Sequence, residues 1–183
     1  MHPLDVKSAL ESMVCLVDTR EQDTPLFRKR MQSLGVPHER QKLNFGDYSV
    51  KCDRADLSAS VAVERKMHLD ELCNCFCKDR KRFEREFERA KASGAKVYLL
   101  VEDASWEQAY NGKYRSRMAP ASLVASMQAW LARYNCQIIM CKQETSGKLI
   151  HDILYRELKE HLEAMDDEGS GDDPATPDGQ TGR

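Results

Sequence analysis

Short apolar runs alternate with stretches of helical spacing along most of this chain. Residues 13–18, Met-Val-Cys-Leu-Val-Asp, form an apolar run ending on an acid, the pattern of a buried strand whose last residue emerges at a sheet edge. Thr24-Pro25 reads as a helix cap with proline in the first turn, and the helix is predicted to stop at Gly35. Residues 38–52 alternate enough to predict two strands turning near residues 44–47, with a further strand over 61–66 pairing beside them. Beyond Lys66 the period becomes helical: Leu69, Leu72 and Phe76 share one face, and Phe83, Phe87 and Ala90 continue on a second helix over residues 78–91. Residues 97–101 form a buried strand that ends on Glu102-Asp103. A helix over 122–134, a strand over 136–141 and a helix from 145 to about 162 complete the series, the last with Ile150, Ile153, Leu154, Leu158 and Leu162 facing inward. This alternation predicts an α/β fold, a mixed central sheet flanked by helices.

The chain has 183 residues, enough for one domain with a substantial core. Its 41% hydrophobic and 32% charged content describes a strongly charged globular protein, and no apolar run reaches the length of a membrane span. The amino terminus lacks the basic-then-apolar layout of a secretory signal, so a cytoplasmic or nuclear setting is expected. Seven cysteines without a scaffold spacing then read as free thiols. Cys73, Cys75 and Cys77 lack the Cys-x-x-Cys pairs of a structural zinc site and are expected in a partly buried helical segment. The net charge of −2 is divided unevenly: seven acids and one base follow Leu162, leaving the rest mildly basic, which suits a nucleic-acid partner. The chain thus divides into a segment at 1–11, one domain at 12–162 and an acidic tail at 163–183 that is expected to be disordered.

The chemistry gathers around residues 61–66. On a strand, Glu64 and Lys66 point one way while Val63 and Arg65 point the other. Asp47, after Gly46, can share a cation with Glu64, and Asp18 stands at the predicted carboxyl end of the first strand. Magnesium takes oxygen ligands and keeps several waters, so two or three carboxylates are the right number, and Asp18, Asp47 and Glu64 can supply them. Lys66 can orient a water or offset charge in a phosphoryl transition state. Each piece also has a plain structural reading: Asp18 as a loop cap, Gly46-Asp47 as a turn, Glu64-Arg65-Lys66 as a solvated run, and Asp70 as the first-turn acid of a helix.

Taken in order, Val17-Asp18-Thr19-Arg20-Glu21, Gly46-Asp47 and Glu64-Arg65-Lys66 followed by Asp70 resemble the nuclease domain of XPF-type structure-specific endonucleases, a branch of the PD-(D/E)xK superfamily. The resemblance spans about residues 12–160 and implies a restriction-endonuclease-like fold. It implies a Mg²⁺- or Mn²⁺-dependent DNA endonuclease of repair or recombination, acting on branched, flapped or nicked duplexes. By the same resemblance Asp18, Asp47 and Glu64 are metal ligands, Lys66 is the catalytic lysine and Asp70 an accessory carboxylate. Arg20, Glu21 and Arg65 organise the site or contact phosphate, and Arg80 is a further phosphate contact. A homodimer or heterodimer through the nuclease domain is implied, with the helix at 122–134 and the last helix as its apolar surface. Nothing after Leu162 resembles the helix-hairpin-helix motifs of many such nucleases, so an accessory DNA-binding protein is expected, and stand-alone versions favour a bacterial or phage origin. The alternative is a silent DNA-binding or dimerisation partner, which would have lost acids or the lysine.

Overall fold

A computed structural model describes residues 3–169, so the tail from residue 170 onward, expected to be disordered, lies outside the described residues. Among the described residues six strands form one mixed sheet: β1 (Val14–Asp18), β2 (His38–Gln41), β3 (Tyr48–Lys51), β4 (Val61–Lys66), β5 (Lys96–Glu102) and β6 (Cys136–Cys141), in the order β2-β1-β3-β4-β5-β6. β1 runs parallel to β2, β3 is antiparallel to both β1 and β4, and β4, β5 and β6 are parallel. The parallel strands are joined through helices, as parallel connections require.

The two strands at 38–52 do not turn back on each other as their alternation suggests. β2 and β3 flank β1 on opposite sides, and the chain between them crosses the carboxyl end of β1. Leu43 and Phe45 are buried there and hold the crossing in the core, where an exposed hairpin turn would leave them in water.

Among the described residues seven α-helices cover the sheet. α1 (Pro3–Glu11), α2 (Pro25–Leu34) and α7 (Ser146–Gly169) share one core with Val17, Val63 and Leu100; α3 (Leu69–Phe76), α4 (Arg80–Ala92) and α6 (Pro120–Arg133) share the other with Ala62, Leu99 and Val101. Adjacent strand residues enter opposite cores because side chains alternate across the sheet. α2 begins as its sequence signals: Thr24 Oγ1 accepts the Phe27 amide (3.1 Å), Pro25 opens the helix and Gly35 ends it. On the α4 side Trp130 stacks on Phe83 (5.6 Å between centroids) and meets Phe76, Phe87 and Tyr134. This cluster locks α3, α4 and α6 together.

Three features depart from the pattern. The segment at 1–11 contains α1, whose Val6 and Ala9 are buried against α7, too few apolar positions to declare a period. α5 (Trp106–Tyr110) is a single capped turn, Ser105 Oγ accepting the Gln108 amide (3.2 Å). The last helix continues past Leu162 to Gly169. In the helices expected to pair subunits, Leu123, Met127 and Trp130 of α6 and Ile150, Leu154, Leu158 and Leu162 of α7 are fully buried inside the chain, while Leu131, Ile153 and Tyr155 are half-buried. Among the described residues no helix is long and apolar enough to cross a membrane.

α7 meets α2 at Gly147, where an added Cβ would lie 2.0 Å from Ser33 Oγ and 2.4 Å from the Arg30 carbonyl oxygen. Gly147→Ala is therefore expected to destabilise the fold by about 1–3 kcal/mol in urea unfolding, as overpacking does. Ser33→Ala does not rescue it, because the carbonyl remains.

Candidate active site

β4 delivers two functional side chains to the α3/α4 side of the sheet. Glu64 and Lys66 are both buried, and Lys66 Nζ donates to Glu64 Oε1. The ammonium also stands 5.3 Å from the Phe83 ring centroid, a cation–π contact that walls it from water. Burial disfavours the charged lysine, yet the Glu64 and Asp47 carboxylates outweigh it and raise the pKa. The two carboxylates favour Lys66 in its charged form. The other carboxylate oxygen, Glu64 Oε2, is buried without a hydrogen-bond partner.

Asp47 is placed by the backbone of both neighbouring strands. Its amide donates to the Val63 carbonyl (2.9 Å), its carbonyl accepts from the Asp18 amide (2.8 Å), and its Oδ2 accepts from the Arg65 amide (2.8 Å). Gly46 before it has φ +72°, and a Cβ there would lie 2.6 Å from Ala62 Cβ. Only glycine lets the chain approach β4 closely enough to bring Asp47 to Glu64. Burial and then the Glu64 charge push the Asp47 carboxyl well above the usual range, against the opposing pull of Lys66. Glu64 is likewise raised by burial, opposed by Lys66 and reinforced by Glu86. Two acids thus face each other where water is scarce.

The remaining sequence candidates are distributed around this pair. Asp18 is fully buried and its oxygens are occupied: Oδ1 accepts from the Arg20 amide (2.8 Å) and Nε (2.6 Å), and Oδ2 from the Leu43 amide (2.8 Å). Burial pushes its carboxyl up, but those hydrogen bonds and the Arg20 charge hold it below the usual value. In this arrangement Asp18 carries the loop after β1 and positions Arg20, whose Nη2 reaches Glu86 Oε1 (3.7 Å). On the opposite face Arg65 bonds Glu102 (3.1 Å), which also pairs with Arg30 (3.1 Å). Tyr48 Oη donates to Glu21 (2.9 Å) and accepts from Arg30 Nη1 (3.1 Å), closing a buried network under β1 and β4. Arg80 lies over the Trp130 ring (5.5 Å), away from the groove. Asp70 is also apart: its Oδ1 accepts the amides of Arg115 and Ser116 (both 2.6 Å).

The groove over Glu64 and Lys66, about 760 Å³, is walled by residues that sequence motifs do not single out. Arg82, Arg85, Glu86 and Arg89 line it from α4, and Glu86 Oε1 accepts the Gly46 amide (3.2 Å). Their spacing, i, i+3, i+4 and i+7, is the stripe beside the buried Phe83, Phe87 and Ala90, so helical phase was the available signal. Arg30 and Tyr48 carried no such signal, since only tertiary packing joins them to Glu102 at the end of its strand.

Among the described residues no three His, Cys, Asp or Glu side chains converge closely enough to hold an ion. The cysteines are free; Cys73 and Cys75 are buried, while Cys77 is exposed. Cys73 and Cys75 stand two residues apart on α3, which turns their thiols away from each other, and Cys77 follows the helix end.

A six-stranded mixed sheet with an acid–lysine pair on one strand and an acid wedged against it from the next defines an α/β domain of the restriction-endonuclease kind. Residues 17–153 match the ERCC4 domain. The chain belongs to the ERCC4 domain family. Its fold resembles XPF from Aeropyrum pernix with a TM-score of 0.57 at 23% identity, over 93% of this chain and 69% of that one. No curated protein sequence matches.

Replacing Asp47 with asparagine keeps an acceptor for the Arg65 amide and removes an acid whose charged form burial and Glu64 disfavour. In chelator, Asp47→Asn should melt about 2–4 °C above wild type, the shift given by roughly 1 kcal/mol in a chain of this size. Scanning calorimetry in EDTA checks it; an unchanged or lower Tm contradicts the repulsion.

Proposed function

We propose that this chain is a divalent-metal-dependent DNA endonuclease, using Mg²⁺ or Mn²⁺, that hydrolyses phosphodiester bonds in branched, flapped or nicked duplexes. The observation that carries it is the buried Glu64 Oε2 without a hydrogen-bond partner, beside Asp47 and the Lys66 ammonium. Orphaned carboxylate oxygens are costly inside a protein unless a cation satisfies them. Asp47 and Glu64 fit a hard ion: both offer oxygen, and two carboxylates leave room for water and substrate ligands. When bound there, the ion would polarise a phosphoryl oxygen and lower the pKa of a coordinated water.

The chain's own residues supply the rest. Lys66, held as a cation, fixes Glu64 in one orientation and offsets negative charge growing on the phosphoryl group. Gly46 and the Asp18 and Val63 backbone hold Asp47 in register, so the site requires no rearrangement before reaction. Arg20, Arg82, Arg85 and Arg89 neutralise backbone phosphates along the groove. Phe83 keeps water from the lysine, which strengthens its field at the scissile bond.

Selectivity for irregular duplexes, pairing as a homodimer or heterodimer and reliance on an accessory DNA-binding protein rest on the kinship with XPF-type nucleases. A silent partner is the second reading, and the retention of Asp47, Glu64 and Lys66 in one groove favours the active one.

The test is cleavage of fluorescent flap, fork, nicked and linear DNA with Mg²⁺, Mn²⁺ or EDTA. Wild type should cut the irregular substrates in metal only. Glu64→Gln and Lys66→Ala should each lose about 10²-fold or more in rate. Equal cleavage by all three proteins would contradict the roles.

A further inference from the structure

Beside the groove over Glu64 and Lys66 lies a second cleft of about 1180 Å³. The two adjoin where β4 ends: Met67 lines the groove and His68 lines the cleft, and Met67 stands 42% exposed between them. One wall is the strap over residues 111–119, between α5 and α6. Its burial alternates: Tyr114, Ser116 and Met118 are half-buried against the core, while Lys113, Arg115 and Arg117 are exposed. Lys78, just beyond α3, faces the same cleft. Among the described residues none of these four cations forms an ion pair, in contrast with Arg20, Arg30 and Arg65 in the groove and the network below it.

The strap is not loose. Asp70 Oδ1 accepts two successive amides, those of Arg115 and Ser116 (both 2.6 Å), and Tyr114 Oη donates to the Met118 carbonyl (2.8 Å). Asp70 stands in the first turn of α3, directly after the strand that carries Glu64 and Lys66. A carboxylate accepting two backbone amides is a strong tether, and this one fixes the cationic row relative to the site. Four cations, Lys78, Lys113, Arg115 and Arg117, outnumber the two acids of the cleft, Asp70, which accepts those amides, and Asp103, whose Oδ1 accepts the Gln143 amide (3.2 Å), so its net charge is positive.

Building on the nuclease reading, we propose that the strap cleft binds the sugar-phosphate backbone of the DNA arm leaving the cut site, through Lys113, Arg115 and Arg117, and that Asp70 is a positioning residue which holds that row in place. Unpaired cations on a tethered segment beside a phosphodiester site suit a polyanion running continuously from one groove into the next. Phosphate contacts of this kind set register without reading sequence, as a nuclease that selects DNA by shape requires.

The experiment measures DNA binding without cleavage, on the full chain carrying Glu64→Gln, by anisotropy of a fluorescein-labelled flap duplex across a salt series. Replacing Lys113, Arg115 and Arg117 together by alanine should weaken binding about tenfold at 0.1 M salt and flatten the slope of log K against log salt by about 2 to 3, near 0.9 for each phosphate no longer neutralised. Exchanging the same positions for the other base (Lys113→Arg, Arg115→Lys, Arg117→Lys) should restore the slope. Asp70→Ala should weaken binding on its own yet add nothing to the triple alanine variant, a coupling that general destabilisation would not give. Unchanged affinity and slope in the triple variant, while wild type still cuts the flap, overturns the cleft and leaves the nuclease reading standing. Weakened binding with no cleavage in any metal supports the cleft and overturns the nuclease. Full additivity of Asp70→Ala with the triple variant overturns the role of Asp70.

Discussion

Asp47 is bonded to three residues on two strands at once, and the site exists because of that. Its amide, carbonyl and carboxylate each pair with backbone of β1 or β4, so the side chain cannot retreat from Glu64 without breaking sheet hydrogen bonds. The fold therefore holds two carboxylates together in a poorly hydrated groove, an arrangement that opposes folding on its own. Lys66 offsets part of the repulsion but uses only one Glu64 oxygen. What remains is an unmet demand for positive charge at one fixed place, the condition under which a divalent ion and a phosphate ester would be drawn in together.

The pleat of β4 separates this demand from the means of bearing it. Glu64 and Lys66 face α3 and α4, while Arg65 between them faces the other layer and joins Glu102, Arg30, Glu21 and Tyr48. That network ties β4 to α2 and to the end of β5 beneath the site. α4 serves two layers of function in the same way: Phe83 and Phe87 enter the aromatic cluster around Trp130, and the adjoining stripe of Arg82, Arg85, Glu86 and Arg89 forms the wall of the groove. A chain of modest size can thus place many charges in one groove because each element contributes one face to packing and another to chemistry.

Much of this was readable from periodicity. The strand at 61–66 and the helix ending at Gly35 sit where apolar spacing and caps put them, because those signals act locally. The path of residues 42–47 was not readable, since alternation reports that a strand exists and not which neighbour it pairs with. α1 and α5 are too short to show a period. In the site, Asp47, Glu64 and Lys66 line one groove, while Asp18 accepts the Leu43 amide, Asp70 accepts two amides of the segment before α6 and Arg80 lies over Trp130. A motif records which residues accompany one another, and the partner that occupies each carboxylate is decided by segments far away in sequence. Glu86 illustrates the converse, a groove residue visible only once the phase of α4 is taken from its buried phenylalanines.

On the proposed reading Asp47 and Glu64 together create one place for a divalent cation. Titration of the full chain with Mn²⁺, read by electron paramagnetic resonance of the free ion, tests it without DNA or turnover. Wild type should take up one Mn²⁺ that both Asp47→Asn and Glu64→Gln release, while Asp18→Asn and Asp70→Asn retain it if folded. Uptake that survives both of the first two substitutions, or no uptake by wild type, would contradict it.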